Sequence, residues 1–277
     1  MDFSFIEHIL KEDIGSGDHS SLACIPKESI GKAQLIIKEK GVLAGVDLAQ
    51  QLFHQYDKSI HFEKRIEDGT IVEPGQIAFV INGSSQTILS LERLVLNFMQ
   101  RMSGIATQTN VYVQLVKDYP VTLLDTRKTT PGLRYYEKWA VRIGGAQNHR
   151  MGLYDMIMLK DNHIDYAGGI KNAISRTKNY LKEKNLDLKI EIEVRNRKEL
   201  DEVLTHGGID RIMLDNFSPK EIREVLNKIP KSIETEASGG ITKETLVEYA
   251  KTGIQFISVG ALTHSFKSLD LSLKAEF

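Results

Sequence analysis

Short apolar runs of two kinds follow one another along this chain. In the first 110 residues, AQLIIKEK (33–40), SIHFEKRI (59–66) and IAFVING (77–83) are rich in β-branched and aromatic residues. Gly, Pro and Asp turns bound them, so they are predicted strands. TILSLERLVLNFMQRM (87–102) places Ile88, Leu91, Val95, Phe98 and Met102 at steps of three and four, which predicts an amphipathic helix. A small α+β layer packed on one long helix is the expected product.

From about residue 120 the pattern becomes regular. VTLLD (121–125), MIMLK (156–160), KIEIEV (189–194), RIMLD (211–215), IETEA (233–237) and FISVG (256–260) are short apolar runs, mostly separated by helix-like stretches such as RKELDEVLTH and TKETLVEYAK. Strands alternating with helices predict parallel β-α-β units. A complete (β/α)8 barrel needs eight units in about 250 residues. Six runs predict an incomplete α/β barrel, with an open doubly wound sheet as the alternative. The expected domains are residues 1–112 and 113–265, and a C-terminal segment, 266–277, carries SLDLSLK, which could return to the first domain.

All six predicted strands end in polar or glycine residues. VTLL leads to Asp125, Thr126, Arg127 and Lys128; MIML leads to Lys160, Asp161, Asn162 and His163. KIEIEV carries Glu193 near its end, RIML leads to Asp215 and Asn216, IETEA to Ser238, Gly239 and Gly240, and FISV to Gly260 and Ala261. Strands of any protein end in polar loops, but charge gathered at this many exits suits the edge where α/β sites sit. IEIEV alternates, so Glu191 and Glu193 share one face, which points inward in a barrel. Inward carboxylates need a partner: a lysine of the site, or a hard cation that carries a diphosphate.

Composition narrows the ligand. Across 277 residues the formal net charge is −1, so the molecule as a whole has no reason to seek nucleic acid or an anionic membrane. Yet residues 125–150 hold six cations against two acids, leaving +4. Arginine forks fit carboxylate or phosphate, so Arg127, Lys128 and Arg150 point to a small polyanion. Lys138 and Arg142, four apart in a helix-like stretch, are expected on a solvated face. Glycines at SGG (238–240) and VGAL (259–262) let backbone N–H groups approach phosphate. EDIGSGDHS (12–20) lacks the P-loop pattern and is expected to be a structural loop. His19, His163 and His264 show no metal spacing. Cys24 is the only cysteine, which excludes an intrachain disulfide and a cysteine-based zinc site. MDFSFIEHILKEDIG has no apolar signal core, and no uncharged run approaches the roughly 20 residues of a membrane span. The expected location is cytoplasmic.

DTRKTTPGLR, EKWAVRIGGAQNHRMGLYDMIMLKDNHI, IEIEV, IMLDNFSP, EASGGI and FISVGALTHS together resemble the quinolinate phosphoribosyltransferase family, and EDIGSGDHS and LERLVLNFMQRMSGIAT resemble its N-terminal region. The likeness covers nearly the whole chain in the family's order. Three positions depart from it: Ala146 stands where a third glycine is expected, Ser20 where threonine is usual, and Arg195 where an acid is common.

The resemblance implies a type II phosphoribosyltransferase fold, with an N-terminal α+β open sandwich and an incomplete, six-stranded α/β barrel. It implies a homodimer in which Arg93 reaches the partner's site. It also implies transfer of phosphoribose from phosphoribosyl pyrophosphate (PRPP) to quinolinate, with Mg²⁺ and no redox cofactor. Quinolinate falls to Arg127, Arg150, Lys160 and the Arg93 supplied across the interface, with His149 lining the pocket. The 5′-phosphate falls to Ser238, Gly239, Gly240, Val259, Gly260 and Ala261, with His264 nearby. Lys128 is expected at the reacting centre. Glu193 and Asp215 are expected to hold the ribose hydroxyls or the metal, directly or through the substrate. A paralogue with another acceptor, a Schiff-base aldolase using Lys160, and a non-catalytic binding protein remain the alternatives.

Overall fold

The structure, a computed structural model, describes residues 3–276. In chain order the elements begin with α1 (Phe3–Ile14), α2 (His19–Cys24), β1 (Ile30–Ile37), β2 (Gly41–Val42), α3 (Val46–Tyr56), β3 (His61–Lys64), β4 (Ile71–Val72), β5 (Ile77–Ser84) and α4 (Ser85–Val116). They continue with β6 (Thr122–Leu124), α5 (Arg134–Ile143), β7 (Ile157–Leu159), α6 (Asp161–Ala167), α7 (Ile170–Lys184), β8 (Ile190–Val194), α8 (Arg197–His206), β9 (Arg211–Asp215) and α9 (Pro219–Leu226). The last are β10 (Glu234–Ser238), α10 (Lys243–Ala250), β11 (Phe256–Ser258), α11 (Ala261–His264) and β12 (Leu271–Glu276). The chain divides into two compact units: residues up to Asn110, with Thr130–Gly145 and the residues from Ser265 on, form the first; Val111–Thr129 and Ala146–His264 form the second.

The first unit is built on an antiparallel sheet in the order β12-β1-β5-β3. Alternation along β1 buries Ala33, Leu35 and Ile37 on one face. On the same sheet Phe62 packs on Phe79 with ring centroids 4.5 Å apart. α4 continues well past the predicted end at residue 102, to Val116. Its hydroxyls serve the sheet side of the unit: Ser103 Oγ accepts from the Ala44 N–H at 2.9 Å and Thr107 Oγ1 from the Val42 N–H at 2.8 Å. Gly104 permits a close approach there, because a Cβ would strike the Lys267 carbonyl just before β12.

Two expectations are corrected in this unit. Residues 130–145 were expected inside a continuous second domain, 113–265, but they pack with the first unit. The reason is the apolar side of α5: Tyr136 lies 4.8 Å from Phe98 and 6.1 Å from Phe5, centroid to centroid. Lys138, expected on a solvated face with Arg142, is fully buried, whereas Arg142 is exposed. Its neighbour Glu137 is buried as well and accepts from Arg101 Nε at 2.9 Å.

The second unit carries the six-stranded sheet, ordered β6-β11-β10-β9-β8-β7, and each neighbouring pair is parallel. From β7 the strands follow in sequence to β11, and β6 completes the row. β6 and β7 are therefore the two edges, where a closed barrel would pair them. This is the incomplete barrel, and it excludes the doubly wound alternative, whose strand order reverses midway. Each strand runs into a polar exit before the next helix starts. Asn196 caps α8, and Ser218, Pro219 and Glu221 open α9 with a capping box.

Candidate active site

The barrel unit encloses a cavity of about 800 Å³ at the carboxyl ends of its strands. β6 delivers Asp125, Thr126, Arg127 and Lys128; β7 delivers Lys160; β8, β9 and β10 deliver Glu193, Asp215 and Ser238. Gly239, Gly240, Gly260, Ala261 and His264 complete that rim, and His149 and Arg150 enter from the irregular stretch before β7. Among the residues that the sequence assigns to substrate or metal, two do not line this cavity. Arg93 is exposed on α4, in the first unit. Val259 is buried and its N–H donates to the Leu124 carbonyl at 2.9 Å, so it extends the sheet and has no N–H to offer a phosphate.

The loops are shaped for close approach. Gly239 and Gly240 have φ of 97° and 60°, in the region that disfavours a side chain. A Cβ on Gly239 would collide with the Asn216 side chain. Asn216 itself sits at φ 57°, and its Nδ2 donates to Asp215 Oδ2 at 2.6 Å. At Gly260 a Cβ would lie 3.1 Å from both Lys128 Cδ and His264 Nε2, so the absence of a side chain is what lets those two converge. Lys128 is held from behind by Thr263 Oγ1, which donates to its carbonyl at 2.8 Å.

Charge is unevenly matched in the cavity. Burial, together with the nearby charge of Arg127, lowers the pKa of the Arg150 guanidinium, which is part-buried while Arg127 is exposed. Burial also pushes the Glu193 carboxyl up; Lys160 opposes the shift, and the charge of Asp215 adds to it. Lys160 Nζ lies 3.3 Å from Glu193 Oε2, which is the inward salt bridge that the alternation of IEIEV made possible.

The floor is a buried polar network. His149 Nε2 lies 2.9 Å from Glu191 Oε2 and 3.5 Å from Glu236 Oε2, and Arg211 Nη1 lies 2.9 Å from Glu236 Oε2. Burial opposes charge on the His149 ring, but Glu191 and Glu236 outweigh it and push its pKa up to about 9. The Arg150 N–H acts against that second proton, because it donates to His149 Nδ1 at 2.7 Å and needs a lone pair there. Burial pushes both carboxyls up; on Glu236 the His149 ring and Arg211 prevail and hold it low, while on Glu191 burial and the Glu236 charge prevail.

Asp125 and Asn216 were expected only as strand-exit residues and Glu191 only as an inward carboxylate, and Glu236 was not singled out. The signal for Glu236 was present: IETEA alternates as IEIEV does, so Glu234 and Glu236 share a face. His163, read as a hydrogen-bonding residue, accepts at Nδ1 from the Lys160 N–H at 3.0 Å.

Comparison with known proteins gives the same answer. The family model for the quinolinate phosphoribosyl transferase N-terminal domain matches residues 18–103, and that for its C-terminal domain matches residues 105–274. A chloroplastic nicotinate-nucleotide pyrophosphorylase [carboxylating] of Arabidopsis thaliana is 45% identical over 286 aligned positions, covering 98% of this chain and 82% of that one. A probable nicotinate-nucleotide pyrophosphorylase [carboxylating] of Bacillus subtilis is 41% identical over 97% of this chain and 91% of that protein. The crystal structure of NadC from Streptococcus pyogenes superposes with a TM-score of 0.91 at 39% identity, over 98% of this chain and 94% of that one. With a six-stranded incomplete barrel, an antiparallel N-terminal sheet and a cation-lined cavity at the strand ends, the chain belongs to the quinolinate phosphoribosyltransferase family.

Proposed function

We propose that this chain transfers the phosphoribosyl group of PRPP to quinolinate, yielding nicotinate mononucleotide, pyrophosphate and CO2 for NAD biosynthesis. The observation that carries this reading is that Arg127 and a half-buried Arg150 line one cavity and bear on each other's charge: such a pair suits an anion with more than one charge. Quinolinate, with two adjacent carboxylates, meets that requirement at Arg127, Arg150 and Lys160. Arg93 of a second subunit completes the set in a homodimer, a role taken from family resemblance. The 5′-phosphate lies against Ser238, Gly239, Gly240, Gly260 and Ala261, near His264.

In the reaction, quinolinate N1 attacks the anomeric carbon while the bond to diphosphate breaks, and positive charge develops on the ribose. Glu193 and Asp215 stabilise that charge, and Lys128 faces the anionic groups at the reacting centre. The 2-carboxylate then departs as CO2, leaving its bonding electron pair on C2 beside the cationic ring nitrogen that stabilises it, and a proton adds to that carbon. Glu193 and Asp215, both lining the cavity, suit a divalent cation that arrives on phosphate, for which one or two protein carboxylates suffice. Bound with the substrate, Mg²⁺ held by these two residues would neutralise the departing diphosphate. No redox cofactor is called for.

No helix among the described residues is long and apolar enough to cross a membrane. A cytoplasmic location fits the near-neutral net charge of −1 and is part of this reading. The test is CO2 release from quinolinate labelled at the 2-carboxylate, with PRPP and Mg²⁺, beside a control lacking PRPP. PRPP-dependent release with formation of nicotinate mononucleotide is expected. A folded dimer that binds PRPP but releases no CO2 would move the acceptor to another aromatic acid.

A further inference from the structure

An anion pocket floored by carboxylates needs a reason. Asp125, Glu191 and Glu236 are all fully buried beneath the cavity. Through space each opposes the binding of a dianion above it. None has a part in the chemistry just described, which rests on the proposed quinolinate reaction.

What the three share is the segment Asn148–His149–Arg150. Asp125 Oδ2 accepts from Asn148 Nδ2 at 2.6 Å and its Oδ1 from the His149 N–H at 2.8 Å. Glu191 and Glu236 flank His149 Nε2 at 2.9 and 3.5 Å. The other ring nitrogen, Nδ1, accepts from the Arg150 N–H at 2.7 Å, and Arg150 Nη1 donates to the Met156 carbonyl at 3.2 Å. Apart from the short bridge of Gln147 to Leu124, this stretch has no regular backbone ladder of its own. Carboxylates from three strand positions replace that ladder. The His149 ring is thus held at Nδ1 by the Arg150 N–H, while Nε2 lies within ion-pair distance of Glu191 and Glu236. His149, Glu191 and Glu236 also have ligand atoms within 4.8 Å of one another, a spacing that a metal ion can use. Arg211, 2.9 Å from Glu236, already supplies positive charge there.

We propose that Asp125, Glu191 and Glu236 are positioning residues, which fix His149 in ring and backbone and thereby aim the Arg150 guanidinium at the carboxylates of the acceptor. A buried charge network kept for geometry, at a cost in electrostatics, is the physical form of this role.

The sign of the effect distinguishes geometry from field. Glu191→Gln removes the charge but keeps an acceptor for the His149 ring; Glu191→Leu removes both. Positioning predicts that Glu191→Leu raises KM for quinolinate about tenfold, in the range of couplings within one hydrogen-bond network. KM for PRPP stays within about twofold, and Glu191→Gln restores the quinolinate KM to within about threefold of wild type. Asp125→Asn and Asp125→Ala form a second pair, read in the same way, should Glu191→Leu fail to fold by thermal melt. Equal tightening of quinolinate in both Glu191 variants would mean that the carboxylate acts only through its field. A fall in kcat alone would put the charge in the chemistry, and an unchanged KM in the Leu and Ala variants would make the network ornamental; each of these overturns the proposal. Wild type is assayed in parallel for PRPP-dependent CO2 release, so a wild type without it refutes the functional reading, whereas an active wild type with unmoved variants refutes only the positioning.

Discussion

The two sheets of this protein obey one alternation and put opposite chemistry on the face they bury. β1 of the antiparallel sheet turns Ala33, Leu35 and Ile37 to a dry face. The parallel sheet gives Ile192, Val194 and Ala237 to its outer side and turns Glu191, Glu193 and Glu236 toward the cavity. The register keeps those charges in rows: Glu191 lies beside Arg211, which lies beside Glu234, while Glu193 lies beside Met213 and then Glu236. Apolar burial contributes stability in proportion to area, at about 25 cal/mol per Å². Buried carboxylates contribute none of that and require partners. The antiparallel face therefore reads as structure, and the charged inner face reads as function.

Substitutions can break or sharpen this contrast. The largest effect on stability is expected at Leu35, which is fully buried: Leu35→Ala should lose about 2–5 kcal/mol through lost contact and an unfilled cavity. Urea denaturation would show it, and kcat/KM per folded molecule should stay at the wild-type value. Lys160→Ala should do the reverse. Its kcat/KM should fall about 10²–10³-fold, as when one electrostatic contact to a transition state is removed. The melting temperature should hardly move, since the Lys160 side chain is 47% exposed in its pair with Glu193. Retention of full kcat/KM would take Lys160 out of the chemistry.

Gly239→Ala combines the two kinds of effect. The αL backbone with a Cβ costs about 1–2 kcal/mol, and the new methyl meets the Asn216 side chain. KM for PRPP is expected to rise about tenfold, the factor that about 1.4 kcal/mol represents; an unchanged KM would remove the SGG loop from the phosphate site. The smallest effect belongs to the surface. Lys40 and Glu73, paired at 2.5 Å but more than half exposed, should contribute under about 1 kcal/mol. Lys40→Ala, melted at low and high salt, should show a difference that fades as salt rises.

Much of the catalytic face was legible because alternation is local. IEIEV alone implies that Glu191 and Glu193 point the same way, and the exits DTRK, KDNH, LDN and SGG carry their chemistry in a few consecutive residues. Lys138 was misread for a physical reason: a four-residue spacing from Arg142 says which helix face a residue shares, not whether that face meets solvent. Val259 was misread because its N–H continues the pairing with β6, donating to the Leu124 carbonyl, although the run FISVG already placed it in a strand. Asp125 was given no specific role and Glu236 was not singled out, since their worth lies in contacts with Asn148 and His149, which local pattern does not reveal.

By itself the sequence determined the two kinds of sheet, the order of strands and helices in the barrel, and the cations at its strand ends. Those follow from side-chain periodicity and from charge within short stretches. Only the tertiary structure decided that β12 pairs with β1, placing Ala33 opposite Ala275, that residues 130–145 pack with the first unit, and that three buried carboxylates converge on Asn148 and His149. Each of these joins groups far apart in the chain, and which of them meet is settled by packing and register, where every buried charge must find its partner.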